Sequence, residues 1–179
     1  MDFSILYAIQ NLRCDAIDRF ILLLTKIAGS YGEIWLIVAA ALLIFKRTRK
    51  TGIAVLLSYA FVYLFGQYVL KDLIARPRPC HIDQTIELLI KRPSSYSCPS
   101  THSAWAFAAA TSVFLYHRKA GIAVFVVAAL IAFSRLYLFV HFPTDVLFGA
   151  ALGAAAAIVA VKLVNFAVKK IVGYRRSKA

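Results

Sequence analysis

The chain has 179 residues, 61% of them apolar and 16% charged, with a mean hydropathy of +0.75. Soluble domains sit at about 45–50% apolar and about 25% charged, so this composition excludes a disordered chain, a coiled coil and an ordinary soluble enzyme. The 21 Lys and Arg against 8 Asp and Glu give a net charge of +13, but many of these charges flank apolar stretches, where they anchor and orient membrane helices, so no nucleic-acid partner is expected.

Phe3 to Leu12 is apolar with polar breaks and reads as an interfacial segment. Ile17 to Ala28 carries Asp18, Arg19 and Lys26 and reads as a short or tilted first span. No basic region precedes a clean apolar run, so a cleavable signal peptide is not expected. Ile34 to Phe45 is wholly apolar, and Ile53 to Leu70 is broken only by Ser58, Gly66 and Gln67. Ser103 to Tyr116, Ala120 to Val140 and the alanine-rich Val146 to Val168 follow. All five prolines (Pro77, Pro79, Pro93, Pro99 and Pro143) fall outside these cores, as expected of residues that mark loops and helix starts. The predicted fold is all-α: a polytopic membrane bundle of six transmembrane helices, forming one domain over residues 1–179 at about 20 residues per span.

Three basic clusters follow alternate spans: Lys46, Arg47, Arg49 and Lys50; Arg118 and Lys119; and Lys169, Lys170, Arg175, Arg176 and Lys178. They share one side, which the positive-inside rule makes cytoplasmic. The connection from Lys71 to Thr101 and the turn near His141 then face outward, and their own basic residues need another account.

Lys71 closes an apolar helix and is followed by Arg76-Pro77-Arg78-Pro79. These cations either snorkel to the interface or capture an anion, since lysine supplies a point charge and the arginine fork matches phosphate oxygens. Cys98-Pro99-Ser100-Thr101-His102 opens the next helix. A helix start offers free N–H groups to a phosphate, and His102 beside it is a candidate general acid. Arg135 interrupts an apolar run, where a charge costs about 2.5–3.5 kcal/mol on insertion scales; an anionic substrate group is its simplest partner. His141 and Asp145 follow, four residues apart. A carboxylate on one imidazole nitrogen fixes the tautomer and raises the basicity of the other.

Lys-x6-Arg-Pro, Pro-Ser-x-His and Ser-Arg-x5-His-x3-Asp thus occur in that order on one membrane face. The chain resembles the type 2 phosphatidic acid phosphatases, membrane lipid phosphatases that share a site with vanadium haloperoxidases. Thr101 stands where the family's second motif has glycine, and its side chain is expected to crowd the phosphate. The resemblance implies a phosphohistidine mechanism without metal or other cofactor. His141 is the nucleophile, Asp145 orients it, and His102 is the acid and then the base. Lys71, Arg78, Arg135, Ser100 and the Thr101 backbone hold the phosphate. Arg76 lies outside the motif and serves either a second phosphate or the interface.

The implied partner is a lipid phosphate or diphosphate entering from the outer leaflet of the plasma membrane, with the site extracytoplasmic and the C-terminus cytoplasmic. Undecaprenyl diphosphate, cleaved to undecaprenyl phosphate and phosphate, fits best; phosphatidylglycerophosphate and phosphatidate stay open. Other expectations accompany this reading. Cys80-His81 with Cys98 and His102 offers zinc-type ligands, or Cys80 and Cys98 form a disulfide. Intramembrane charge also marks transport pathways. Gly149 and Gly153 permit close helix approach, within the bundle or between copies. His81 to Arg92 is either a surface amphipathic helix or a lid.

Overall fold

The computed structural model describes residues 2–176. Lys178 of the basic tail lies outside the described residues. Those residues form helices and no strand: α1 (Asp2–Gln10), α2 (Asp15–Ala28), α3 (Glu33–Ile44), α4 (Arg49–Phe61), a π-helical stretch (Val62–Leu70), α5 (Lys71–Ile74), α6 (Pro79–Ile82), α7 (Thr101–Tyr116), α8 (Arg118–Tyr137) and α9 (Pro143–Arg176).

Local chemistry sets the breaks. Asp15 and Asp18 in the first turn of α2 and Lys26 in its last complement the helix dipole. Gly29 (φ 76°) and Gly32 (φ 71°) then take left-handed conformations that only glycine adopts cheaply, bending α2 from α3 by 55°. The run from α4 through α5 is continuous and ends at Ala75 (φ 49°). His117 alone separates α7 from α8. Pro143, pre-set for a first helical turn, opens α9.

Three stretches are long and apolar enough to cross a membrane: Arg49–Ile82, Arg118–Tyr137 and Pro143–Ile171. The bent α2–α3 pair makes a fourth if it forms one broken span. The six-span expectation counts α2, α3 and α7 separately, yet these have 14, 12 and 16 residues, and at about 1.5 Å per residue none matches a hydrocarbon core of about 30 Å.

Helix α7 forms the centre of the bundle, packed by α4, α8 and α9. In a bilayer the drive for such packing is close contact rather than apolar burial, and small residues permit it. Ala104, Ala106, Ala108, Ala109 and Ala110 of α7 are all buried. Gly149 and Gly153 of α9 lie against the backbone carbonyls of Ser100 and Ala104, where a Cβ would collide. The Gly149–Gly153 pair is therefore used within the bundle, fixing the start of α7 against α9. Large apolar side chains such as Leu64, Ile122, Leu147 and Phe166 remain on the outside, as a lipid-facing surface requires.

A second apolar cluster caps the end of the bundle that carries the motifs. Leu6 and Ile9 of α1, Ile21 of α2, Cys80, and Tyr137 to Val140 with Phe142 are buried together. Of His81 to Arg92, expected as an amphipathic helix or a lid, only His81 and Ile82 are helical, as the end of α6, and residues 83–92 form no helix. Their Ile86, Leu88, Leu89 and Ile90 pack onto this cluster, because α6 stops at Ile82 and the chain then spends its apolar residues covering α1 and the turn after α8.

Candidate active site

Lys71 follows the π-helical stretch, whose i→i+5 bonding ends with Gln67 and Lys71 on one cavity wall. Arg78 precedes α6 and His102 lies in the first turn of α7. Arg135 sits in the last turn of α8. His141 follows a turn in which buried Phe139 adopts a left-handed conformation (φ 57°). Strain of this kind persists only where surrounding packing enforces it.

These segments meet at a cavity of about 610 Å³ whose lining includes Lys71, Arg78, Thr101, His102, Arg135 and His141. The structure thus brings together six of the eight side chains predicted from sequence. The other two lie behind the wall. Asp145 is fully buried. Ser100 does not reach the cavity: its hydroxyl pairs with Ser103 Oγ at 2.9 Å and its N–H donates to the Asp145 carbonyl at 3.1 Å. Ser100 instead ties the start of α7 to the start of α9.

The buried cations are held by neutral oxygens. Arg78 donates through Nε to the Ser95 carbonyl (2.7 Å), through Nη2 to Ser95 Oγ (3.0 Å) and through Nη1 to the Val140 carbonyl (2.8 Å). Lys71 Nζ reaches Ser95 Oγ at 3.5 Å. Arg135 donates to Thr25 Oγ1 at 2.6 Å and to Ser134 Oγ at 2.9 and 3.0 Å. None of the salt bridges formed among the described residues involves Lys71, Arg78 or Arg135. Three desolvated cations without a carboxylate partner make a strong field for an anion.

The two imidazoles are oriented differently. His102 Nε2 lies 2.9 Å from the Gly29 carbonyl; a carbonyl only accepts, so Nε2 carries the proton and Nδ1 is left for other use. His141 Nε2 lies 3.1 Å from Arg78 Nη1. Arginine only donates, so Nε2 presents its lone pair and the ring proton sits on Nδ1. His141 Nδ1 faces Asp145 Oδ2 at 3.8 Å, beyond hydrogen-bond range, and has no other partner. Burial pushes the His141 imidazole down to about 3; Arg78 and Lys71 act the same way and Asp145 opposes them.

Asp145 is pinned from the other side. Its Oδ2 accepts from the Phe142 N–H at 2.9 Å, and its Oδ1 accepts from Arg76 Nη1 at 2.6 Å. Arg76 faces away from the cavity, bonded also to Thr144 and Asp2, so the second-phosphate role weighed for it has no geometric basis. Thr101 Oγ1 donates to Gln67 Oε1 at 3.2 Å. Thr25, Gly29, Gln67 and Ser95 all contribute to the site and carry no local sequence signal.

All three cysteines are free thiols, including Cys80 and Cys98, the alternative disulfide pair. Burial, reinforced by Asp145, pushes the Cys98 thiol up to about 11. Among the described residues no three His, Cys, Asp or Glu gather as metal ligands. His81, one of the zinc candidates, spends Nε2 on the Pro93 carbonyl at 2.9 Å.

The family model of the PAP2 superfamily matches residues 51–169, which includes every motif residue. The chain belongs to the PAP2 superfamily. It is 34% identical over 148 residues to an undecaprenyl-diphosphatase of Sulfolobus acidocaldarius, covering 82% of this chain and 70% of that one. Two solved structures superpose with a TM-score of 0.71. The first transmembrane PAP2 type phosphatidylglycerolphosphate phosphatase from Bacillus subtilis is 30% identical and matches over 95% of this chain and 85% of its own. Aquifex aeolicus LpxE is 28% identical and matches over 90% and 94%. This PAP2 protein is a multi-pass membrane hydrolase of the lipid phosphatase family.

Proposed function

We propose that the chain removes a terminal phosphate from a lipid through a phosphohistidine on His141. The observation that carries this is the convergence of Lys71, Arg78, Arg135 and two imidazoles on one cavity. In the first step His141 Nε2 attacks the terminal phosphorus and the bond to the leaving oxygen breaks. His102, which takes up a proton on Nδ1 as the substrate binds, gives it to that oxygen, and the lipid departs. In the second step a water attacks the phosphorus, returning a proton to His102, and phosphate leaves as His141 is regenerated. Lys71, Arg78, Arg135 and the free N–H groups at the start of α7 stabilise the charge on the transferring oxygens. Ser100 supports that helix start.

The preferred substrate is undecaprenyl diphosphate, released as undecaprenyl phosphate. The Sulfolobus acidocaldarius relative supports this choice. The Bacillus subtilis structure favours a second reading, phosphatidylglycerophosphate. For either lipid, an apolar groove of about 280 Å³ between α2, α3 and α8, lined by Leu24, Ala28, Trp35, Val124 and Ile131, offers the chain a seat. It begins one residue from Gly29, where His102 is anchored. The site then faces outward in the plasma membrane, with the basic C-terminus inside.

The test is a panel assay of purified protein against isoprenoid diphosphates, phosphatidylglycerophosphate and phosphatidate, with and without chelator. Phosphate release is expected to survive the chelator and to be fastest with the isoprenoid diphosphate. Chelator-abolished turnover would favour the zinc reading, and a protein that releases phosphate from no lipid would favour transport.

A further inference from the structure

Arg76 belongs to no motif, yet it makes one of the shortest charged contacts in the molecule, and it makes it to Asp145. Its Nη1 lies 2.6 Å from Asp145 Oδ1 and 2.7 Å from Thr144 Oγ1. Its Nη2 lies 2.9 Å from Asp2 Oδ2, and Thr144 Oγ1 donates to the same Asp2 oxygen at 2.8 Å. The guanidinium plane covers the Phe142 ring at 4.1 Å. Arg76 is 31% exposed on its outer side, whereas Asp145 is fully buried.

We propose that Arg76 is the positioning residue for the Asp145–His141 pair, and that α1 locks it in place through Asp2. The inference rests on the phosphohistidine reading above. A buried carboxylate needs a partner to remain charged. Asp145 has its backbone donor at Phe142 on Oδ2, but among the described residues Arg76 is its only charged hydrogen-bond partner. Arg76 occupies Oδ1 and leaves Oδ2 turned to His141 Nδ1 at 3.8 Å. A small closing movement brings Oδ2 within hydrogen-bond range of the Nδ1 proton as positive charge develops on the imidazole. Without Arg76, the carboxylate is free to rotate or take up a proton, and that acceptor is lost. The role of α1 follows: it holds the far arm of Arg76, so the N-terminal helix is coupled to the nucleophile without touching the substrate cavity.

The test uses full-length protein in detergent with the lipid that the panel assay selects. Arg76→Gln is expected to lower kcat by about 10–100-fold, the scale of losing one hydrogen bond between charged groups, with KM unchanged. Arg76→Lys keeps the charge on Asp145 but loses the fork, so its kcat is expected to fall between those of Arg76→Gln and wild type, clearly below wild type and at unchanged KM. The cavity of about 550 Å³ bounded by Asp2, Phe3, Arg76, Pro77, Ile82 and Phe142 opens on this side, so added guanidinium is expected to raise the kcat of Arg76→Ala. If Arg76→Gln does not purify as folded protein, Arg76→Lys decides. A lowered kcat at constant KM supports the role, and a raised KM or a wild-type kcat overturns it. Wild-type kcat in Arg76→Gln, while His141→Ala is inactive, overturns the role of Arg76 alone. Turnover that persists in His141→Ala overturns the proposed function and this role with it.

Discussion

Arg78 Nη1 lies 3.1 Å from His141 Nε2, so the fork of one motif rests on the ring nitrogen of another that is proposed to attack phosphorus. The contact presets the tautomer: Nε2 faces the cation with its lone pair, ready to meet a phosphorus that arrives between them. The fork itself is aimed by Ser95 and by the Val140 carbonyl. Lysine at this position keeps a charge but cannot hold Ser95, Val140 and a phosphate together. Arg78→Lys is therefore expected to lower kcat by about 10²–10³-fold, the cost of one preorganised donor. Steady-state rates on a lipid phosphate measure it, and a variant within threefold of wild type would contradict the role.

Arg135 is expected to behave as a second such donor, with Thr25 as its guide. Its bond to Thr25 Oγ1 at 2.6 Å links the end of α8 to α2, two helices far apart in sequence. Arg135→Ala should cost about 10²–10³-fold in kcat. Thr25→Val, which removes one hydrogen bond to a charged group, should cost about tenfold. The order of the two effects is the check: a Thr25→Val variant worse than Arg135→Ala would mean that α2 matters chiefly for folding.

The motif side chains were legible because their spacing along the chain already implies helix ends and one membrane face. Lys71, His102, Arg135 and His141 each sit at or beside an α-helical terminus, and termini are what capping and proline signals mark. The partners that aim them were not legible. Thr25, Gly29, Gln67 and Ser95 reach the site only through tertiary packing, and a lone Thr or Ser in a membrane protein has many ordinary uses. The role of Arg76 was hidden for the same reason, since Asp2 and Asp145 lie 143 residues apart in sequence. The exact count of six spans is not confirmed by helix length and composition, because hydropathy cannot see a bend: Gly29 and Gly32 angle α2 against α3, and α7, packed among other helices, has only 16 residues.

Thr101 was expected to crowd the phosphate, since the family motif has glycine there. The structure gives its hydroxyl to Gln67. Thr101→Gly removes that hydrogen bond and adds backbone freedom to the first turn of α7. A loss of about 1–2 kcal/mol in stability is expected, with turnover within about threefold of wild type. A large gain in turnover would show that the methyl group does obstruct the substrate.

His141 gives the protein a pH signature. Burial, aided by Arg78 and Lys71, holds its imidazole near 3, against an ordinary value of 6.5. Below pH 6.5 the unfolded chain takes up a proton at this position that the folded protein refuses. The resulting stability is intact above pH 6.5 and falls progressively as pH drops from 6.5 towards 3. Melting temperatures of wild type and His141→Gln between pH 7.5 and about 5 test this: wild type should lose stability more steeply on acidification. Parallel curves would contradict it.

The central claim is that His141 carries the phosphoryl group. Brief reaction with a lipid substrate labelled in its terminal phosphate, followed by alkaline quench and peptide mapping, reads this directly. An acid-labile, base-stable label is expected on the peptide containing His141, absent from His141→Ala. Label on another residue, or normal turnover by His141→Ala, would contradict it.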